Sequence, residues 1–209
     1  MGLFKNVPYF TIIILILLIV FYTLKQYFGP IYPNFSWGLI SFIDFVHGEY
    51  WGIFFYAFMH YTWEHLVFNC VQIAIFGFII EQQINLKKLL ILFFSSILLG
   101  GILCLILVEL LNPEWVFMGA SGFANSFLGC AWMLSIISKR RNPMSNNYTN
   151  TRSFYFYLIA SILFPTFPIF NIFNLPGNIT YELLIYGVIL AHYLCLSFGL
   201  VYGFIFCKK

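Results

Sequence analysis

Charge is what this sequence most lacks. Of its 209 residues only 8% are Asp, Glu, Lys or Arg, while 62% are hydrophobic, and mean hydropathy is +0.91. A water-soluble domain carries about 25% charged residues, so this chain cannot cover itself with a hydrated surface. That excludes the soluble folds and leaves a polytopic, all-α membrane protein. The net charge of +3 is no basis for a nucleic-acid surface, because the basic residues sit in short clusters at the ends of apolar runs. Ligand-like cysteine spacing is also missing. Cys70, Cys104, Cys130, Cys195 and Cys207 all fall in apolar stretches and read as small buried hydrophobes. Neither a metal site, a disulfide framework nor an organic cofactor is expected. The first apolar run lacks a small-residue cleavage pattern, so it reads as an anchor helix rather than a removed signal peptide. No internal repeat is evident and no soluble domain flanks the apolar part, so residues 1–209 read as one transmembrane domain.

What is present is six apolar segments, at about 8–28, 54–80, 87–111, 120–138, 154–173 and 182–206. Each approximates the roughly 20 residues that a helix needs to cross a bilayer. Lys5, Lys87, Lys88, Lys139, Arg140, Arg141, Arg152, Lys208 and Lys209 fall on one side of this pattern. Lys25 alone falls on the other, with Asp44, Glu49, Glu114 and Glu182. Basic residues mark the cytoplasmic side, so both termini are expected in the cytoplasm, as an even number of spans requires. The outer loop at about 29–53 is rich in aromatics and prolines. It is expected to lie partly in the membrane interface, with an ordinary extracellular loop as the alternative. The inner loop 142–150 is polar and reads as flexible. Short inner loops and the lack of a transit segment fit a bacterial plasma membrane, with an organelle membrane as the alternative.

Polar groups inside hydrocarbon are costly and point to function. The second segment carries His60, Glu64, His65 and Asn69, the fourth Ser121, Asn125 and Ser126, and the sixth His192. With a rise of about 1.5 Å per residue, His65 stands about 24 Å above Glu81, Ser121 about 27 Å above Lys139, and His192 about 22 Å above Cys207. Three separate segments thus place polar groups at one level in the outer half of the bilayer. His65 and Asn69, four apart, share a helix face. Ser121, Asn125 and Gly129 form a small-residue stripe, as do His192, Cys195, Gly199 and Gly203. Such stripes let helix backbones approach closely, which would bring Ser121 to His192.

A serine hydroxyl becomes a nucleophile when a base takes its proton, and histidine suits that task near neutral pH. Ser121 is therefore read as nucleophile and His192 as general base and later acid, a dyad without an acidic third member. His65 and Asn69 can supply oxyanion donors, together with the Ser121 amide at a helix start. Gly119 and Gly122 would let backbone and substrate come close. Each piece has a plainer alternative: helix packing or capping for Ser121, a structural histidine for His192, an interhelical polar clamp for His65 and Asn69. The combination of order, depth and facing is more specific than any of them. A small transporter with a midplane site is a further rival, but the inner half of every span is nearly free of polar groups.

The string His60-Tyr61-Thr62-Trp63-Glu64-His65-Leu66-Val67-Phe68-Asn69, then Gly119-Ala120-Ser121-Gly122, then Ala191-His192, resembles the rhomboid intramembrane serine proteases over essentially the whole chain. The resemblance implies a six-helix rhomboid-like bundle with Ser121 and His192 catalytic. His65, Asn69 and the Ser121 amide would form the oxyanion hole, and His60 would be structural, tying the first outer loop to the second helix. It implies single-pass or multi-pass membrane-protein substrates, cleaved near the outer end at a helix-weakened site with a small residue before the cut. Their access would be lateral, between the second and fifth helices, where Pro165 and Pro168 loosen the fifth. The sequence departs from the family pattern at Gly52, where arginine is common after Trp51, and at Asn125, where many members have an aromatic packed on the histidine. Cys195 also stands where glycine is frequent. A catalytically silent rhomboid-like protein that binds membrane helices is the rival within the family.

Overall fold

The structure is a computed structural model that describes residues 7–28, 40–111, 116–141, 147–166 and 179–206. Its long helices are α1 (Tyr9–Phe28), α4 (Trp63–Glu81), α5 (Leu86–Leu111), α6 (Ser121–Arg141), α7 (Asn147–Thr166) and α8 (Ile179–Phe206). Between α1 and α4 lie two short helices, α2 (Phe42–Val46) and α3 (Gly52–Phe55), and a 3-10 turn at Tyr56–Phe58. Five of the long helices contain stretches long and apolar enough to cross a membrane, and α7 is apolar over the shorter stretch Tyr155–Thr166. The rest of the fifth expected span, residues 167–173 with Pro168, lies outside the described residues. So do Lys5, Glu114, Lys208, Lys209, residues 29–39 of the outer loop and 142–146 of the inner loop.

Helix α6 is the axis of the bundle. Residues 122–131 are buried without a break, and Phe123 and Phe127 are among the largest fully enclosed side chains. Helices α4, α5, α7 and α8 all pack against it. Helix α1 stands outside, attached to α4 through a polar clasp. The Glu81 carboxylate accepts from the Phe10 and Thr11 amides and the Thr11 hydroxyl at 2.7–2.9 Å. Those amides are the unpartnered donors of a helix start, and a carboxylate there also suits the helix dipole.

The tightest contact joins α6 and α8 through small residues. A Cβ on Gly129 would run into the Leu196 carbonyl, and one on Gly199 into the Ser126 carbonyl. The Ser126 hydroxyl adds a bond to the Cys195 carbonyl at 2.9 Å. Cys195 is itself buried at this contact.

Two expectations need correction. The second long helix starts at Trp63, not near 54. The apolar run from 53 to 59 is continuous, but Met59 and Thr62 are extended and the Thr62 hydroxyl caps the helix by accepting from the His65 amide at 3.2 Å. The inner loop read as flexible is helical from Asn147 onward, because no Pro or Gly stands between 147 and 164 to stop the helix at the edge of its apolar part. The outer loop also holds an antiparallel pairing, Ile40 with Phe117 and Ser41 with Val116.

Leucine at 199 would force α8 away from α6. Overpacking of this kind destabilises by about 3 kcal/mol, so Gly199→Leu is expected to lower the thermal unfolding midpoint in detergent by about 6 °C or more. Ser197→Leu, on an exposed position of the same helix, is expected to leave the midpoint unchanged.

Candidate active site

Ser121 is the first residue of α6 and His192 lies in the middle of α8. The glycine contact described above closes the distance between them, and the Ser121 hydroxyl lies 2.8 Å from His192 Nε2. His192 is buried and Ser121 half-buried. The other imidazole nitrogen, Nδ1, lies 3.0 Å from the Pro165 carbonyl of α7. As the start of a helix, Ser121 has a backbone N–H with no partner inside that helix.

The approach to Ser121 is shaped by Gly119, which has a φ of +134°. Its amide donates to the Tyr56 carbonyl at 2.8 Å, which ties it to the 3-10 turn ahead of α4. A Cβ at 119 would sit 2.6 Å from the His65 ring. Only glycine therefore satisfies both the left-handed backbone and the close approach of that imidazole. Gly122 serves packing instead: it lies against Gly100 of α5 and the Tyr56 hydroxyl, so it is not open to a substrate.

His60 and Asn69 form a buried pair, with Asn69 Nδ2 3.0 Å from His60 Nε2. The Ala120 amide points to the same nitrogen at 3.4 Å. A ring nitrogen that accepts from two donors cannot carry a proton, so His60 is neutral with its hydrogen on Nδ1. Standing just ahead of α4, it ties that segment to α4 through Asn69 and to the start of α6 through Ala120. Asn69 keeps one amide hydrogen for another partner. His65, half-buried, stacks edge-on to His60 with ring centres 5.0 Å apart. Ser121, His192, His65, Asn69, His60 and Gly119 are thus brought together. Glu64 is exposed and stands apart.

Sequence reasoning missed four contributors. Lys25 donates to the His60 carbonyl at 2.9 Å and to Met118 Sδ at 3.2 Å, and lies 5.0 Å from the Tyr61 ring centre. Its signal was available, since it is the one basic residue that departs from the charge pattern. Tyr56 holds Gly119 by its carbonyl and bonds the Ile97 carbonyl by its hydroxyl at 3.0 Å. Gln72 extends the polar face of His65 and Asn69 by one turn. It donates to Asn125 Oδ1 at 3.0 Å, and Asn125 Nδ2 donates to the Ser121 carbonyl at 2.9 Å. The Pro165 carbonyl is a backbone group and leaves no mark in the side-chain pattern.

Fold and site together define a helical, multi-pass integral membrane protein with a serine–histidine pair enclosed in its bundle. The chain belongs to the rhomboid family: the Rhomboid domain model matches residues 47–209. Among curated proteins it is similar to "Rhomboid protease GlpG" of Klebsiella pneumoniae subsp. pneumoniae and of a second Klebsiella pneumoniae strain. Each is 28% identical over 156 residues, covering 74% of this chain and 52% of the relative. The chain spans about half the length of the curated relatives it matches.

Gly119→Ala and Gly48→Ala separate strain from crowding. Both positions have positive φ, at +134° and +95°, but a Cβ at 48 meets nothing within 4 Å. Each alanine is expected to cost about 1–3 kcal/mol in backbone strain. Only Gly119→Ala also displaces His65, so its unfolding midpoint is expected to fall further than that of Gly48→Ala in the same thermal assay.

Proposed function

We propose that this chain is a serine endopeptidase that works within the bilayer and cuts transmembrane helices of other membrane proteins near their outer end. The observation that carries this reading is the 2.8 Å contact between the Ser121 hydroxyl and His192 Nε2, joining two separate helices of the bundle. In this reading the chain crosses the membrane six times, α7 included, with both termini in the cytoplasm. The nine basic residues on one side of the charge pattern support that orientation.

The chemistry follows from the arrangement. His192 Nε2 takes the Ser121 proton as Oγ attacks the scissile carbonyl carbon. The tetrahedral oxyanion is met by the Ser121 amide, the remaining Asn69 amide hydrogen and His65. His192 then gives its proton to the leaving amine, and the acyl group stays on Ser121. Water, deprotonated by His192, releases it and restores the hydroxyl. No metal or organic cofactor takes part.

A substrate helix must expose a peptide bond that its own backbone bonds protect. It is therefore expected to carry helix-weakening residues, with a small side chain before the cut. Access is lateral, between α4 and α7. That seam is filled by aromatic rings, with Phe68 and Phe164 centres 5.0 Å apart and Phe76 and Phe164 5.7 Å apart. Rings can swing aside more readily than interlocked backbones, such as those of α6 and α8.

Ser121→Ala and His192→Ala are each expected to abolish cleavage of a reporter transmembrane substrate in proteoliposomes, with the unfolding midpoint retained. Cleavage by purified Ser121→Ala would refute the assignment. Labelling by a fluorophosphonate probe, dependent on both residues, separates a protease from a silent helix-binding relative. Asn69→Ala removes one oxyanion donor and is expected to lower kcat by about 10²-fold or more, as measured in the same reporter assay.

A further inference from the structure

His192 makes a second hydrogen bond that the chemistry above does not use. Nδ1 lies 3.0 Å from the Pro165 carbonyl oxygen, while Nε2 faces Ser121. A carbonyl oxygen can only accept. Nδ1 must therefore carry the proton, which leaves Nε2 the free lone pair that a general base needs. We propose that the Pro165 carbonyl is the third member of the catalytic unit, a neutral backbone group that positions His192 and holds its tautomer. This rests on the proteolytic reading above.

Three features of the chain support it. Pro165 stands in the last described turn of α7, and its carbonyl faces the His192 ring. The Thr166 hydroxyl bonds the Ile162 and Leu163 carbonyls, and the Pro165 carbonyl goes to the imidazole. Proline also locks its own φ, and Pro165 is buried, which together restrict how that carbonyl can turn. Finally, on α6 the residue one turn after Ser121 gives the ring no hydrogen bond. Asn125 occupies the position where many rhomboids pack an aromatic on the histidine, and its amide is committed to Gln72 and the Ser121 carbonyl. No carboxylate partner for His192 is found among the described residues.

The test weakens one carbonyl and changes no side chain. Thr166 is replaced by its α-hydroxy acid in the full-length protein, so that the bond between 165 and 166 becomes an ester, whose carbonyl is a poorer acceptor. The same exchange at Ala160 is the control, since it perturbs the α7 backbone equally but away from His192. The ester at 166 is expected to lower kcat on the reporter substrate about tenfold with KM unchanged, and the ester at 160 to leave both near wild type. Nitrogen-15 spectra, with His192 identified by its loss in His192→Ala, are expected to show a protonated Nδ1 and a bare Nε2 at neutral pH. In the 166 ester the population is expected to move toward the other tautomer. A wild-type His192 protonated on Nε2, or equal kcat for the two esters, overturns the proposal. Should the wild-type protein cleave nothing, the proteolytic reading falls, while the spectra still decide the bond to Pro165.

Discussion

Two helix backbones in near contact set the geometry on which the rest of this molecule depends. Gly129 and Gly199 leave no room for side chains between α6 and α8. Apolar side chains gain little from meeting one another in lipid, since lipid tails are as apolar as they are. Helices in a membrane are held instead by close packing and by hydrogen bonds between them. The Ser126 hydroxyl, bonded to the Cys195 carbonyl across the same contact, supplies the second element. Ser121 lies less than two turns from Ser126, and His192 less than one turn from Cys195. The separation of those two reactive groups is thus inherited from the backbone approach, and neither needs a long side chain to reach the other.

A second set of constraints positions the loop ahead of Ser121. Gly119 is held by the Tyr56 carbonyl, Ala120 by the His60 ring, Met118 by Lys25, and Val116–Phe117 by the strand at Ile40–Ser41. Four parts of the chain therefore converge on five consecutive residues. Each bond is modest, about 1 kcal/mol net. Together they remove the freedom that a glycine with positive φ would otherwise bring. Most of these polar groups bond one another, so the bundle contains a hydrogen-bonded island, in which His60 Nδ1 is buried without a partner among the described residues.

Much of this was legible in the residues. The common depth of His65, Ser121 and His192 follows from helix rise alone, and the small-residue stripes on α6 and α8 pointed to the contact that joins them. The family membership rests on motifs visible as strings. What escaped was local or backbone-borne. The start of α4 was hidden because an apolar run continues through a 3-10 turn, and hydropathy does not register a change of backbone direction. The Ile40–Ser41 pairing is two residues long, too short for any periodicity. Gly122 looked like a place for substrate because it flanks Ser121, yet one residue along a helix turns the face by about 100°, toward α5. Lys25 was visible as an exception to the charge rule, and the exception has a structural reason.

The neutral character of the group behind His192 has a physical logic in this setting. In a soluble serine protease a carboxylate can hold the imidazole because its charge is balanced by surrounding donors. An ionised carboxylate buried in this bundle would need several such donors, or its desolvation would cost several kcal/mol. The nearby donors have other partners: Asn125 bonds the Ser121 carbonyl, the Ala120 amide points to the His60 ring, and Asn69 gives one amide hydrogen to that ring and, in the proposed reaction, the other to the oxyanion. A carbonyl at the end of a helix carries no charge to bury and has no partner within its own helix. It can fix which nitrogen bears the proton, although it stabilises the imidazolium less than a carboxylate would. Helix ends are the places where a membrane protein has such groups to offer, and the Pro165 carbonyl stands at the level where His192 needs one.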